Sequence, residues 1–156
     1  MFSFGLLGQR VAMSGLSEYG RPPEGLSKAG WPERLLFPRG STIFKQGEQA
    51  NAAYILESGD IQIFKMVNGK RITLGHVSKW GLFGEMGLID DSPRMASAYV
   101  TEDATCTVLS KASFSRMMDS APDGMLLVIE SLTRTLRASG DNLAEARYRL
   151  TELERS

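Results

Sequence analysis

The sequence predicts a mainly β domain with flanking helices: an antiparallel, jelly-roll-like β-roll, one short helix late in the roll, and a long C-terminal helix. Three observations carry this prediction. Between residues 33 and 109, short β-branched and aromatic runs alternate with glycine-led turns. A brief apolar helix is signalled by the glycine-led stretch "FGEMGLI". From residue 111 onward the apolar period lengthens from two to the helical spacing.

In chain order, residues 1–32 form an irregular or loosely helical extension, rich in Gly, Ser and Pro and without a sustained period. Its apolar members, Phe2, Phe4, Leu6, Leu7, Val11 and Trp31, are more than a linker needs, so docking on the domain or on a partner is expected. From Glu33 the runs "RLLF", "STIFK", "AAYILES", "DIQIFKM", "RITLGHV", "ASAYVT" and "ATCTVLS" read as separate strands. Between them lie the turn signals "PRG", "QGE", "SGD" and "NGK". Alternation puts Ile61 with Ile63, and Ile72 with Leu74, on one face. Asn68-Gly69 is a two-residue hairpin signal, because both residues tolerate positive φ.

The roll spans 33–109 and the C-terminal helices 111–156, making residues 33–156 one domain. Ser110 is placed to cap "KASFSRMMDS", and Pro122 suits the first turn of a second helix starting near Ser120–Asp123. In that helix Ile129, Leu136, Leu143 and Leu150 recur every seven residues, each followed three positions later by Leu132, Ser139, Ala146 and Leu153. The stripe reads either as a coiled-coil seam or as the inward face of a helix packed on its own roll. Gly140 is a point at which the helix is open to a break.

Composition excludes several classes. Eighteen basic and eighteen acidic residues balance, so nothing draws the chain electrostatically to nucleic acid or anionic lipid, and direct DNA binding is not expected. The single cysteine, Cys106, lies in an alternating strand run and reads as a small buried residue. His76, the one histidine, has no base partner in the sequence and reads as a strand residue. No metal-ligand spacing and no catalytic residue stands out, and no apolar run reaches the length of a membrane span. The start "MFSFGLLGQR" lacks a secretory pattern, so a cytoplasmic setting is expected.

The stretch "FGEMGLIDDSPRMAS", residues 83–97, carries the chemistry. A glycine at a helix start lets an anion approach backbone N–H groups, and Arg94 adds a fork suited to phosphate oxygens. Glu85 would repel that anion, so it requires a different task, such as accepting a hydrogen bond from a hydroxyl. A ligand bearing both phosphate and sugar hydroxyl fits; a surface ion pair is the plainer alternative.

With strands, glycine-led helix, returning arginine and long terminal helix in this order, the sequence resembles the cyclic nucleotide-binding domain family over roughly residues 34–150. "FGEMGLI" followed by "SPRMAS" looks like that family's phosphate-binding cassette, and "QGE" at 46–48 and "SGD" at 58–60 match its roll. The resemblance implies a short phosphate-binding helix and a ligand, cAMP or cGMP, rather than a cofactor. It implies a site built from Leu74, Phe83, Gly84, Glu85, Met86, Gly87, Arg94, Met95, Ala96 and Ser97. In it Glu85 and the Gly84 backbone would hold the ribose 2′-hydroxyl and Arg94 the cyclic phosphate. Backbone N–H groups of Met95 and Ala96 would support Arg94, and Leu74 would wall the purine. Members favouring cGMP, and the bacterial catabolite activators that bind cAMP, often place Thr or Ser after the arginine. Met95 has no hydroxyl to contact the phosphate or the guanine, and the lost bond to the guanine amino group tilts the expectation modestly toward cAMP, with a cyclic dinucleotide left open.

The last helix resembles the dimerising helix of the catabolite activators, which places Ser139 where that group offers a hydroxyl to the adenine amino group; a small residue permitting close helix approach is the equal alternative. In the catabolite activators a winged helix-turn-helix follows this helix; here the sequence ends at "YRLTELERS", so none is expected, nor is a kinase motif or a pore segment expected anywhere in the sequence. The expected function is a non-enzymatic cyclic-nucleotide sensor, homodimeric through residues 125–153, signalling through its terminal helix to an unknown effector. The alternatives are a sensory fragment of a larger transcription regulator or channel, and an interaction module with a vestigial cassette.

Overall fold

Two long strands carry the roll, β4 (Ala52–Val67) and β7 (Ser97–Ser110), in a computed structural model that describes residues 33–156 and the backbone of Gln9 and Arg10. They pair antiparallel over most of their length, from Ala52 opposite Ser110 to Phe64 opposite Ser97. The register shifts between Leu56 and Ile61. Gly59 sits at this bend with φ +89°, and a Cβ there would overlap the Asp103 carbonyl oxygen on β7. The glycine is what lets two strands bend together without parting.

Each half of the bent pair collects shorter neighbours. β2 (Glu33–Phe37) and β3 (Thr42–Phe44) pair with opposite ends of β7, while β5 (Lys70–His76) and β6 (Leu82–Phe83) pair with opposite ends of β4. β1 (Gln9–Arg10) adds to the outer edge of β2. The rest of the expected extension lies outside the described residues. The hairpin between β4 and β5 turns on Asn68 and Gly69, at φ 48° and 75°, as their residue types predict.

The sequence pattern breaks each long strand in two, and the structure joins them. "SGD" is no turn but the bend inside β4, so "AAYILES" and "DIQIFKM" are one strand, as are "ASAYVT" and "ATCTVLS" in β7. A glycine at positive φ inside a strand leaves the same mark in a sequence as one in a loop.

One face of β4 sends Tyr54, Leu56 and Ile61 into the main core with Val100 and Cys106. Phe37, Phe44 and Phe83 surround the Tyr54 ring, their centroids 5.4–6.1 Å from it. The other face packs Ala53 and Ile55 with Leu109, Trp80 and Leu88. Burial pushes the Cys106 thiol up to about 12, and the Glu57 charge adds to this, so Cys106 is a packing residue. His76 ends β5 and pairs with Asp60, 2.8 Å away.

Three helices follow or interrupt the roll among the described residues: α1 (Met86–Ile89), α2 (Lys111–Asp119) and α3 (Met125–Leu153). Ser110 caps α2 by accepting from the Ser113 N–H, as its position predicts. α3 starts later than Pro122 suggests. Gly124 at φ 85° precedes it, and the Met125 N–H returns to the Pro122 carbonyl, so Pro122 sits in the turn instead of the first helical turn. Gly140 does not break α3, which runs unbroken for 29 residues. No described helix is long and apolar enough to cross a membrane.

Beside the main core, Arg34 and Glu57 form a bidentate ion pair at 2.6 and 3.1 Å, 7% and 2% exposed, with the Thr107 hydroxyl also donating to Glu57. Removing one partner strands a buried charge. Glu57→Leu is therefore expected to lose about 3–5 kcal/mol in denaturant unfolding, and Arg34→Met in the same chain to return most of that loss. A single-variant loss below ~1 kcal/mol would mean the pair is solvated like a surface bridge.

Candidate functional site

The site is assembled where β6, α1 and the segment before β7 meet. Gly84 leaves β6 at φ +74°, and a Cβ there would stand 2.8 Å from Arg94 Nη1 and 2.9 Å from Phe44 Cε1. A side chain at 84 thus suffers both a strained backbone and a clash. Gly87 is held as tightly: its Cβ would lie 2.7 Å from the Ala50 Cβ and 2.8 Å from the Ser92 carbonyl oxygen. The two glycines bring the α1 backbone against the loop that carries Arg94.

Arg94 is 5% exposed. Its Nη1 donates to the Gly84 carbonyl and its Nη2 to the Ala52 carbonyl at 2.8 Å, while its guanidinium carbon lies 4.0 Å from the Phe44 ring centroid. Its Nε is buried without a hydrogen-bond partner among the described residues. The backbone on either side is pinned by the "QGE" turn: the Gly47 N–H donates to the Arg94 carbonyl and the Arg94 N–H to the Glu48 carbonyl, both at 2.8 Å. Burial lowers the Arg94 pKa, and the fields of Tyr54, Glu48 and Glu85 raise it again; a guanidinium starts so high that the cation persists. The Tyr54 hydroxyl is pushed up to about 12 by burial, against the pull of Arg94, and supplies no anion at neutral pH. The arginine is thus a buried cation whose hydrogen bonds go to neutral carbonyls.

Glu85 precedes α1 with helical φ and ψ, and its side chain makes no capping bond. Burial raises its pKa, while its own N–H and the charges of Arg94 and Arg137 pull it back. Among the described residues its carboxylate has no ion-pair partner, which leaves it free to accept from a ligand.

These groups line a cavity of about 210 Å³, together with Phe44, Ile63, Leu74, Leu82 and Phe83. Leu74 reaches it because β5 carries one residue more than β4 between the pairs Ile63–Gly75 and Phe64–Thr73, a bulge that lies at Leu74. Of the expected residues, Leu74, Phe83, Gly84, Glu85, Met86, Gly87, Arg94, Met95 and Ala96 all line the cavity. Ser97 and Ser139 do not. The Ser97 hydroxyl is 2.9 Å from the Gln46 N–H, which donates to it and ties down the turn beside Arg94. Ser139 is exposed on α3. Phe44 and Ala52, which sequence reasoning left out, belong to the site. Their signal was the match of "QGE", which fixes the loop between them.

α3 lies across the β4–β5 hairpin and α1. Asp141 and Glu152 pair with Lys65 and Lys70, and Arg147 donates to the Thr73 carbonyl. Arg137 binds Asp90 with two N–H groups, the Nη2 bond at 2.8 Å, and reaches the Pro93 carbonyl with a third. Burial works against the Asp90 carboxylate, but hydrogen bonds from Arg137 and the Ser92 N–H outweigh it and hold the pKa low.

Comparison with known proteins places this geometry. The cyclic AMP receptor protein of Thermus thermophilus is 33% identical over 106 residues, 67% of this chain and 49% of that protein. A cAMP-dependent protein kinase regulatory subunit of Colletotrichum orbiculare is 38% identical over 86 residues, 55% of this chain and 22% of its own length. The chain therefore spans half or less of these relatives. Among solved structures, the EAL enzyme Bd1971 in its cAMP-bound form superposes with a TM-score of 0.67 at 26% identity, covering 77% of this chain and 32% of that one. The Thermus thermophilus catabolite activator protein gives 0.53 at 30% identity, covering 78% and 54%. Residues 34–121, which hold the roll, the glycine-led helix and Arg94, match the family described as the cyclic nucleotide-binding domain, and the chain belongs to that family.

Proposed function

We propose that residues 33–156 act as a non-enzymatic, cytoplasmic cyclic-nucleotide sensor, with the roll at 33–109 as receptor and the helices at 111–156 as output, and that cAMP is preferred over cGMP. The observation that carries this reading is the buried Arg94 guanidinium at the cavity wall, with Nε unpartnered and no carboxylate bonded to it among the described residues. A buried cation bonded only to neutral carbonyls is matched by an anionic ligand group. Glu85 supplies the acceptor for a ribose hydroxyl on the same wall. Ile63, Leu74, Leu82 and Met95 offer the base an apolar surface without a hydroxyl to contact the guanine amino group. cAMP-bound neighbours support the ligand class.

The output follows from the two faces of α3. Thr133 and Ala144 are buried against the chain's own fold, whereas Leu132, Leu136, Leu143, Leu150 and Leu153 remain exposed, Leu153 at 71%. The heptad stripe is thus spare, and we assign it to a parallel homodimer through residues 125–153. Ligand would favour one position of α3 to the extent that it binds that position better, and the moving helix would pass the signal to an effector protein. Because the chain spans half or less of its relatives, a second reading is the sensory part of a larger regulator.

Calorimetric titration with cAMP and cGMP tests the ligand. Arg94→Ala is expected to weaken binding about thirty- to a thousandfold while the chain stays folded; a folded variant within about threefold of the parent would refute the phosphate assignment. Glu85→Gln should weaken cAMP strongly and 2′-deoxy-cAMP much less, since only the ribose hydroxyl meets the carboxylate. Equal losses for both ligands would assign Glu85 to holding the loop.

The same substitution carries a pH signature. A carboxyl with a raised folded pKa binds its proton more readily in the folded chain, so its contribution favours folding at low pH and is lost as pH rises through the folded pKa. Ligand-free Glu85→Gln should therefore melt higher than the parent at neutral pH, and the gain should shrink in acid through the carboxylate range. A variant that melts lower at neutral pH would show the carboxylate to be structurally paired.

Leu143→Asp buries an unpaired carboxylate in the assigned seam. Sedimentation is expected to give a dimer for the parent and a folded monomer for the variant; a parent monomeric with and without ligand at high micromolar concentration would remove the dimer.

A further inference from the structure

We infer that Gly140 is a positioning residue for the nucleotide cavity: it is a notch on α3 that seats the Met95 side chain, coupling the helix to the residue next to Arg94 and keeping that side chain out of the ligand's space. The inference rests on the nucleotide-binding reading for its effect on affinity, but the seat itself is a packing feature.

Gly140 lies inside a continuous helix and is not among the residues with positive φ, so its conformational freedom is unused. Alanine would be the better helix former there. What the glycine provides is room. A Cβ at 140 would overlap the Met95 Cε and lie 3.6 Å from its Sδ. Met95 is half-buried and lines the cavity on its other side. An unbranched thioether adapts readily to such a seat.

The neighbouring contacts limit the escape routes. One turn before Gly140, Arg137 holds Asp90 and the Pro93 carbonyl; one turn after it, Ala144 is 1% exposed. With α3 fastened on both sides, a methyl group at 140 leaves two outcomes. Either Met95 swings toward the cavity and takes ligand volume, or α3 lifts and strains the Arg137 contacts. Pro93 and Met95 flank Arg94 directly, so both contacts report any shift of the arginine segment to the helix.

The test is a cycle of Gly140→Ala, Met95→Ala and the double variant, read by cAMP calorimetry and by thermal melting without ligand. The seat predicts that Gly140→Ala weakens cAMP binding about tenfold when Met95 is kept and less than about threefold when it is added to Met95→Ala. It also predicts that Gly140→Ala lowers the melting temperature of the parent and raises that of the Met95→Ala variant, where only the helix preference remains. A rise in both backgrounds overturns the seat whether or not nucleotide binds. A fall that Met95→Ala relieves, combined with unchanged cAMP affinity in a parent that binds, overturns the positioning role. If the parent binds neither cAMP nor cGMP, the nucleotide reading fails, and with it the positioning role, while the melting cycle still decides the packing.

Discussion

A cation kept away from water is the constraint around which this molecule is arranged. Arg94 is withdrawn from solvent, so its N–H groups need acceptors and its charge needs a counterpart. Several nearby backbone and core features serve these needs. Gly84 takes a positive φ and turns its carbonyl to Nη1; Ala52, at the first position of β4, presents another to Nη2; the Phe44 ring faces the guanidinium. The "QGE" turn clamps the arginine's backbone, while the Gly84 and Ala52 carbonyls hold its side chain. What the described residues do not supply is a bonded anion. In the proposed reading the ligand's phosphate completes the set, which explains why a buried charge is tolerated.

Glu85 shows the same logic with opposite sign. Burial disfavours its ionised form, and the fields of Arg94 and Arg137 only partly compensate. A carboxylate so placed is a burden on the empty fold and, in the proposed reading, an asset once a ribose hydroxyl arrives. Arg94 and Glu85 line one cavity, and in the proposed reading they match a ligand with an anionic end and a hydroxyl-bearing ring. α3 then adds a layer on which Thr133 and Ala144 are buried and Ile129, Arg137, Gly140 and Tyr148 half-buried, while its leucines remain exposed.

Much of this was legible in the sequence because it rests on local rules. Asn68-Gly69 and Ser110 do what their residue types dictate wherever they occur, and the spacing of Gly84, Glu85 and Arg94 carries the cavity's polar half. Long-range packing was not legible. Gly59 looks like a loop glycine until Asp103 is seen across from it, and Pro122 looks like a helix start until Gly124 turns the chain again. The leucine stripe of α3 dominated the periodicity, so the face that touches the roll, marked by Thr133, Arg137, Gly140 and Ala144, was hidden beneath the louder signal. Resemblance to the cassette places Ser97, and resemblance to the dimerising helix of the catabolite activators places Ser139, beside the ligand; in the structure the first is bonded to Gln46 and the second is exposed, both outside the cavity.

In the proposed reading Arg94 awaits a phosphate. Its Nε–H can be followed directly as a resolved side-chain resonance in a ¹⁵N-labelled protein titrated with cAMP and, separately, with adenosine. The account predicts a marked shift of the Arg94 Nε–H with cAMP and almost none with adenosine at equal concentration, because only cAMP carries the anion. A resonance that ignores cAMP while the nucleotide demonstrably binds, or one that moves equally with adenosine, would contradict it.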